Sequence, residues 1–256
     1  MLPIEDSRSL AQLFHLNSEP WLNTEAYESN SYGISHKRVG ARSAAIALPV
    51  LPPVDGLRAL LTMRGSCRFY QKKSMSLDVL GEVLGGAFGL TRVVRLPGGI
   101  EMQARAAPSA GGLYPLEMYV ICRDVTGLRD GAYHYALLEH SLEPLRDDVH
   151  AEMLATFLLA EAFVQQANAI VFLTAVFDRT LHKYGPRGYR YILIEAGHVA
   201  QNLCLLAAER SLGSLCIGGF MDGAANRFLR IDGAEEATLY GIAIGHPGDP
   251  PSVDRR

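Results

Sequence analysis

Hydrophobic spacing changes character twice along the 256-residue chain. Residues 7–17 carry Leu10, Leu13 and Phe14 on one side of a helical period and predict a short helix. From 18 to 54 no period survives. Asn, Ser and Gly clusters lead there into Ala44-Ala45-Ile46-Ala47-Leu48-Pro49 and the Pro52-Pro53 pair. Such a stretch is too long for a simple loop and predicts an arm draped over a body. Helical spacing returns over 55–63. Ser76 then caps a stronger helix, in which Leu77, Leu80, Val83, Leu84 and Phe88 recur until Gly89.

Beyond residue 92 the period shortens. Val93-Val94, Leu116 to Cys122, Tyr133-His134-Tyr135 and Leu142 to Leu145 predict strands, the last two joined by a short polar turn. Residues 152–165 predict a helix with Met153, Phe157, Leu158 and Ala162 facing inward. The apolar run Ala169 to Phe177, interrupted by Thr174, predicts a strand buried on both faces. Pro186 opens a long helix to about Arg210, with Gly213 beyond its end. A short strand at Leu215-Cys216-Ile217, a helix from an Asp222 cap to Leu229, and a last strand from Thr238 to Ile244 follow. Helices come first, then hairpin strands, then a β-α-β-α-β run, so the fold class is α+β, a sheet covered by helices. The expected division is a helix and arm over 1–54 and one domain over 55–256.

Composition narrows the function. Lys and Arg number 24 against 27 Asp and Glu, a net charge of −3, which gives no electrostatic reason for a nucleic-acid or membrane partner. The 48% hydrophobic and 20% charged content excludes disorder for the chain as a whole. Cys67, Cys122, Cys204 and Cys216 include no Cys-x-x-Cys pair, which argues against structural zinc and a disulfide scaffold. The first residues lack a signal-peptide pattern, and the longest apolar run is too short to cross a bilayer, so a cytoplasmic location is expected. No P-loop, G-x-S-x-G elbow or H-E-x-x-H motif occurs. Glu195 and His198 lie one helical turn apart without a matching second pair, so they predict a polar pair in packing or at a subunit contact and no metal site.

Four segments carry chemistry. Arg64-Gly65-Ser66-Cys67-Arg68 places Arg64, Ser66 and Arg68 on one side of an extended segment, a set suited to phosphate. Pro108-Ser109-Ala110-Gly111-Gly112 is a tight loop that lets a flat group approach its backbone. Gly218 and Gly219 follow a strand end. Lys183 and Tyr184 supply two proton-handling groups side by side, both with reference pKa values near ~10. Taken singly, each segment also fits a bland role: a solvated basic turn, a hairpin loop or an ordinary helix start.

Together they resemble the FMN-dependent nitroreductase superfamily, and within it the SagB-type dehydrogenases, the azoline oxidases of thiazole/oxazole-modified peptide pathways. The matching stretches are R-G-S-C-R-F at 64–69, P-S-A-G-G-L-Y-P-L-E at 108–117, K-Y-G-P-R-G-Y-R-Y at 183–191, E-A-G-H-V-A-Q-N-L at 195–203 and I-G-G-F at 217–220. Leu13-Phe14-His15 is similar to an N-terminal F/Y-H element of that family. The resemblance implies a nitroreductase-like FMN-binding fold, with a central, mostly antiparallel sheet flanked by helices, in an intertwined homodimer with two FMN sites at the subunit interface. It implies that Arg64, Ser66 and Arg68 hold the FMN phosphate, and that Pro108, Ser109, Ala110, Gly111 and Gly112 lie against the isoalloxazine. Gly218 and Gly219 would lie near its N5 edge. It further implies that Lys183 and Tyr184 take the proton while the flavin takes a hydride from a thiazoline or oxazoline, with dioxygen as reoxidant. The implied partners are an azoline-containing peptide and a cyclodehydratase or synthetase. Two other readings are a nicotinamide-dependent nitro or quinone reductase of the same fold and a catalytically silent scaffold subunit.

Overall fold

Ala169–Val176, an almost wholly apolar strand, lies in the middle of the sheet, and its side chains enter the cores on both faces. The computed structural model describes residues 13–18 and 55–249, apart from 96–97, 100, 148, 150, 160–163 and 165. The expected arm over 18–54 lies outside the described residues except at Ser18, as does the start of the helix expected over 7–17; residues 13–16 are helical.

In chain order, α1 (Gly56–Met63) is followed by a two-residue strand β1 (Met75–Ser76) and α2 (Leu77–Phe88). The Ser76 hydroxyl accepts from the Val79 N–H at 3.2 Å, the expected cap. Gly89 ends α2, and a Cβ there would collide with the Gly85 carbonyl. Then come β2 (Leu90–Arg95), β3 (Glu101–Arg105), β4 (Leu116–Cys122), β5 (Val125–Thr126), β6 (Gly131–Ala136) and β7 (Ser141–Arg146). The second half holds α3 (Ala151–Ala155), β8 (Ala169–Val176), α4 (Asp178–Tyr184), α5 (Arg187–Glu209), β9 (Gly213–Ile217), α6 (Asp222–Leu229) and β10 (Glu236–Gly245).

Six strands form one sheet in the order β7-β6-β4-β8-β10-β9, antiparallel at every step. Strand alternation divides its side chains between two cores. Leu116, Met118 and Val120 of β4 join Val171 and Leu173 of β8 beneath α2 and α5. Tyr119 and Ile121 join Ile170 and Phe172 on the other face, where Phe157, Phe220 and Phe228 pack. The inner face of α5, with Ile192, Ala196, Val199, Ala200 and Leu203, is buried against the first core.

Four local expectations are corrected. The helix expected over 152–165 is interrupted: among the described residues Ala151–Ala155 is helical, 156–159 is not, and Val164 is helical again. The Thr156 hydroxyl caps the Met153 carbonyl at 2.6 Å, and Leu158 leaves to bridge Phe220, which ends the helix while still burying Phe157 and Leu158. Lys183 and Tyr184 belong to the end of a separate helix, α4, rather than to the start of α5. Gly185, at φ 54°, makes the turn between the two. The N-cap position of α6 is Met221, and Asp222 lies in the first turn, near the positive end of the helix dipole. Gly213 opens β9 rather than capping α5; a Cβ on it would lie 2.5 Å from the Cys67 sulfur, so glycine lets β9 run against the 64–68 segment.

Candidate active site

The 64–68 segment leaves α1 and runs beside the start of β9. The Cys67 N–H donates to the Ser214 carbonyl at 2.8 Å, and Ser66 bridges Ser214. This pairing builds a cleft of about 360 Å³ lined by Arg64, Ser66, Cys67, Ala208 and Ser214, among others. Arg64 is half-buried there, while Arg68 is exposed and does not line the cleft. A guanidinium with two serine hydroxyls is a sound anion site. Ser214 carried no sequence signal; only the pairing of β9 with the arginine segment reveals it.

From that cleft β9 leads to the Gly218-Gly219 pair. Leu215 and Ile217 face the second core, so Ser214, Cys216 and Gly218 follow the opposite side of the backbone. Four residues of strand span about 13 Å. Gly219 accepts the Leu159 N–H at 3.3 Å through its carbonyl, and a Cβ at Gly218 would meet no atom of the described residues within 4 Å.

The glycine loop is built at the other end of α5. Ser109 precedes one turn of 3-10 helix, Ala110–Gly112, in which Gly111 and Gly112 take φ 64° and 65°. Those left-handed conformations favour glycine. Steric fit at Gly111 adds a second reason. A Cβ there would lie 2.7 Å from the Tyr184 hydroxyl and 2.8 Å from the Lys183 Nζ. Both side chains thus converge on the loop backbone, with Lys183 Nζ 5.3 Å from the Tyr184 ring centroid and Tyr191 edge-on to that ring. Lys183 also lies in the last turn of α4, where the helix dipole favours its charge.

Behind the loop stands Glu195, 4% exposed on α5. The Ser109 hydroxyl hydrogen-bonds the Glu195 carboxyl and accepts the Tyr114 N–H at 2.9 Å. Arg105 lies close by. Its guanidinium stacks over Phe88 and Tyr114, 4.8 Å from each centroid, and donates to the Leu116 carbonyl at 3.3 Å. Burial pushes the Glu195 carboxyl up to about 7, against the opposing pull of the Ser109 hydrogen bond and the Arg105 charge. Glu195 packs with Ser109, while its expected companion His198 is exposed on the same helix.

A raised native pKa means that the folded chain holds this proton more tightly than the unfolded chain does. Stability from Glu195 is therefore complete below about 4.5 and is lost as pH rises towards about 7. Glu195→Gln is expected to remove that decline. Urea titrations between pH 5 and 8 check it, and an unchanged pH slope in the variant would refute the assignment.

The two halves of the site do not meet within one chain. Ala208 lines the arginine cleft and Glu195 backs the glycine loop, and thirteen residues of α5 separate them by about 20 Å. Among the described residues there is no His, Cys, Asp and Glu cluster able to hold a metal ion.

Known proteins resemble this chain in sequence and fold. A putative nitroreductase of Methanocaldococcus jannaschii is 35% identical over 71% of this chain and 88% of its own length. The microcin B17-processing protein McbC of Escherichia coli is 28% identical over 71% of this chain and 66% of its own. Among solved structures, a chain of the E. coli microcin synthetase McbBCD complex superposes with a TM-score of 0.65 at 22% identity, over 95% of this chain and 94% of that one. A nitroreductase-fold chain from Desulfovibrio desulfuricans, 19% identical with a TM-score of 0.52 over 79% of this chain and 92% of its own, is in complex with FMN. The model of the nitroreductase family spans residues 61–246, from the end of α1 to the turn after β10, and so takes in the arginine cleft, the glycine loop and the Lys183-Tyr184 pair alike; this chain belongs to the nitroreductase family.

Proposed function

We propose that the chain is an FMN-dependent dehydrogenase that oxidises thiazoline or oxazoline rings in a peptide to thiazoles or oxazoles. The observation that carries this reading is the convergence of Lys183 Nζ and Tyr184 Oη on the Gly111 backbone. Aromatising an azoline removes a hydride from one ring carbon and a proton from its neighbour. A reductase that only relays hydride to a quinone has no need of two adjacent proton-handling groups beside the ring site. The relationship to McbC, named for processing a microcin peptide, supports the same substrate class.

The residues suit FMN. Arg64, Ser66 and Ser214 would hold its phosphate, and the side of β9 that carries Ser214 and Gly218 gives the ribityl chain and ring a path about as long as the cofactor. When bound, FMN would supply two-electron redox chemistry at this site, with dioxygen as the final acceptor. The rest falls to this chain. Lys183 or Tyr184 accepts the ring proton, and the other steadies the charge that develops. Ser109 and Glu195 hold the glycine loop against which the flat rings lie.

The gap of about 20 Å between the half-sites points to a homodimer, in which the cleft of one copy faces the glycine loop of the other. Leu57, Leu61 and Met63 of α1 and Leu193 and Ile194 of α5 are large exposed apolar residues on the two helices that flank the gap. A cytoplasmic synthetase complex would be its setting.

The expected preparation is yellow, dimeric by light scattering, with about one FMN per chain, and oxidises a thiazoline peptide in air. A flavin-loaded monomer at micromolar concentration would refute the shared site. NAD(P)H-driven quinone reduction without azoline turnover would favour a reductase instead.

A further inference from the structure

Two thiols lie along the proposed flavin path, and no step above uses them. Cys216 is exposed on β9 and Cys204 is buried on α5; their sulfurs are 3.6 Å apart. A disulfide needs about 2.05 Å, so the two must approach by roughly 1.6 Å, a change in side-chain torsion between neighbouring elements. Ser214, Cys216 and Gly218 follow one side of β9, which puts the Cys216 sulfur between the arginine cleft and the glycine pair.

We propose that Cys216 and Cys204 form a peroxide-reactive dithiol in the floor of the flavin site, Cys216 as the attacking thiol and Cys204 as the resolving one. The oxidant is hydrogen peroxide, the product of two-electron reduction of dioxygen. For that source alone, the inference rests on the proposed function. The Cys216 thiolate attacks one peroxide oxygen, the O–O bond breaks, and the departing hydroxide takes up the proton released by Cys216. Cys216 is then a sulfenic acid. The Cys204 sulfur attacks it, the S–O bond breaks, and hydroxide leaves with the Cys204 proton as water. Two thiols and one peroxide become one disulfide and two waters.

Surroundings assign the roles. Around Cys216 stand Cys204 from α5, the Tyr240 hydroxyl from β10, Arg64 from the end of α1 and the buried Tyr70 phenol. The Cys204 hydrogen bond, then the Tyr240 hydroxyl and the Arg64 charge, favour thiolate at Cys216 against the cost of its partial burial. Cys204 is shifted the other way, by the thiolate it faces and by burial, and so keeps its proton until the second step. An accessible thiolate beside a protonated, buried thiol is the arrangement of redox-reactive cysteine pairs. Cys67, bonded through its sulfur to the Phe69 carbonyl, and the buried Cys122 serve as comparisons within the same chain.

The test treats flavin-loaded protein with added hydrogen peroxide, so it needs no azoline turnover. Flavin content and turnover are measured separately and report on the proposed function alone. Non-reducing peptide mapping is expected to show a Cys204–Cys216 disulfide, with Cys67 and Cys122 still free. In Cys204→Ser, dimedone should capture a sulfenic acid at Cys216; in Cys216→Ser, Cys204 should stay reduced. An ordinary thiol of pKa ~8.5 loses about ninefold in thiolate between pH 7.5 and 6.5. The oxidation rate of Cys216 should fall less than threefold over that range. Free thiols at both positions after exposure that oxidises glutathione would overturn the proposal, as would faster oxidation of Cys67. Mapping of the unsubstituted protein decides the matter even where a variant fails to fold.

Discussion

Lys183→Ala and Tyr184→Phe are expected to lower azoline oxidation per bound flavin by ~10²–10⁴-fold, the range for removing a general acid–base group. Both changes spare the fold. Lys183 is exposed, and truncating an exposed side chain shifts stability by about 0.5 kcal/mol or less. Tyr184→Phe keeps the ring that meets Tyr191 edge-on and removes only the hydroxyl beside Gly111. Flavin content and dimer mass should therefore match the unsubstituted protein, as should reduction by dithionite and reoxidation in air. The measurement is turnover of a thiazoline peptide normalised to flavin absorbance. Normal normalised turnover in both variants would end the proton-transfer role and leave the flavoprotein reading standing.

The second large effect concerns the phosphate. Arg64→Ala removes a charge-assisted contact of about 1.5–3 kcal/mol, so FMN affinity should weaken roughly tenfold or more. The geometry adds a ranking that the motif lacks. Arg64 lines the cleft with Ser66 and Ser214, and Arg68 does not. Arg68→Ala should cost clearly less than Arg64→Ala, and Ser214→Ala should cost about as much as Ser66→Ala. Fluorescence titration of apoprotein with FMN at two salt concentrations measures all four. Equal losses at Arg64 and Arg68 would contradict the cleft.

What the sequence made legible follows from where its information is local. The strand over 169–177 and the cap at Ser76 are written in neighbouring residues, and the structure has both. The α+β class was legible for the same reason, whereas the antiparallel sheet came only with the family resemblance. Helix α4 was not. Its seven residues give too little period to stand out between a buried strand and the Gly185-Pro186 turn. Strand β3 was missed because Glu101 to Arg105 alternates weakly and pairs only with β2. At the site, the motif residues announce themselves, whereas Ser214, Arg105 and the Glu195–Ser109 contact do not. Each of these acquires its role from a partner far away in sequence, and a local pattern carries no record of that partner.

Strand order has one more consequence, for the making of the protein. In the described sheet, β9 has a single strand neighbour, β10, and β10 is the last of the sheet strands to leave the ribosome. Until residues 236–245 emerge, β9 has no sheet strand to pair with, and the wall that carries Ser214 and Gly218 rests on α5 and the 64–68 segment without the sheet to fix it. Segments 64–68 and 213–219, far apart in the nascent chain, come into register only then. Such late, long-range pairing slows folding. Flavin capture thus waits for β10, and a nascent chain stalled before β10 should bind no FMN however long it waits.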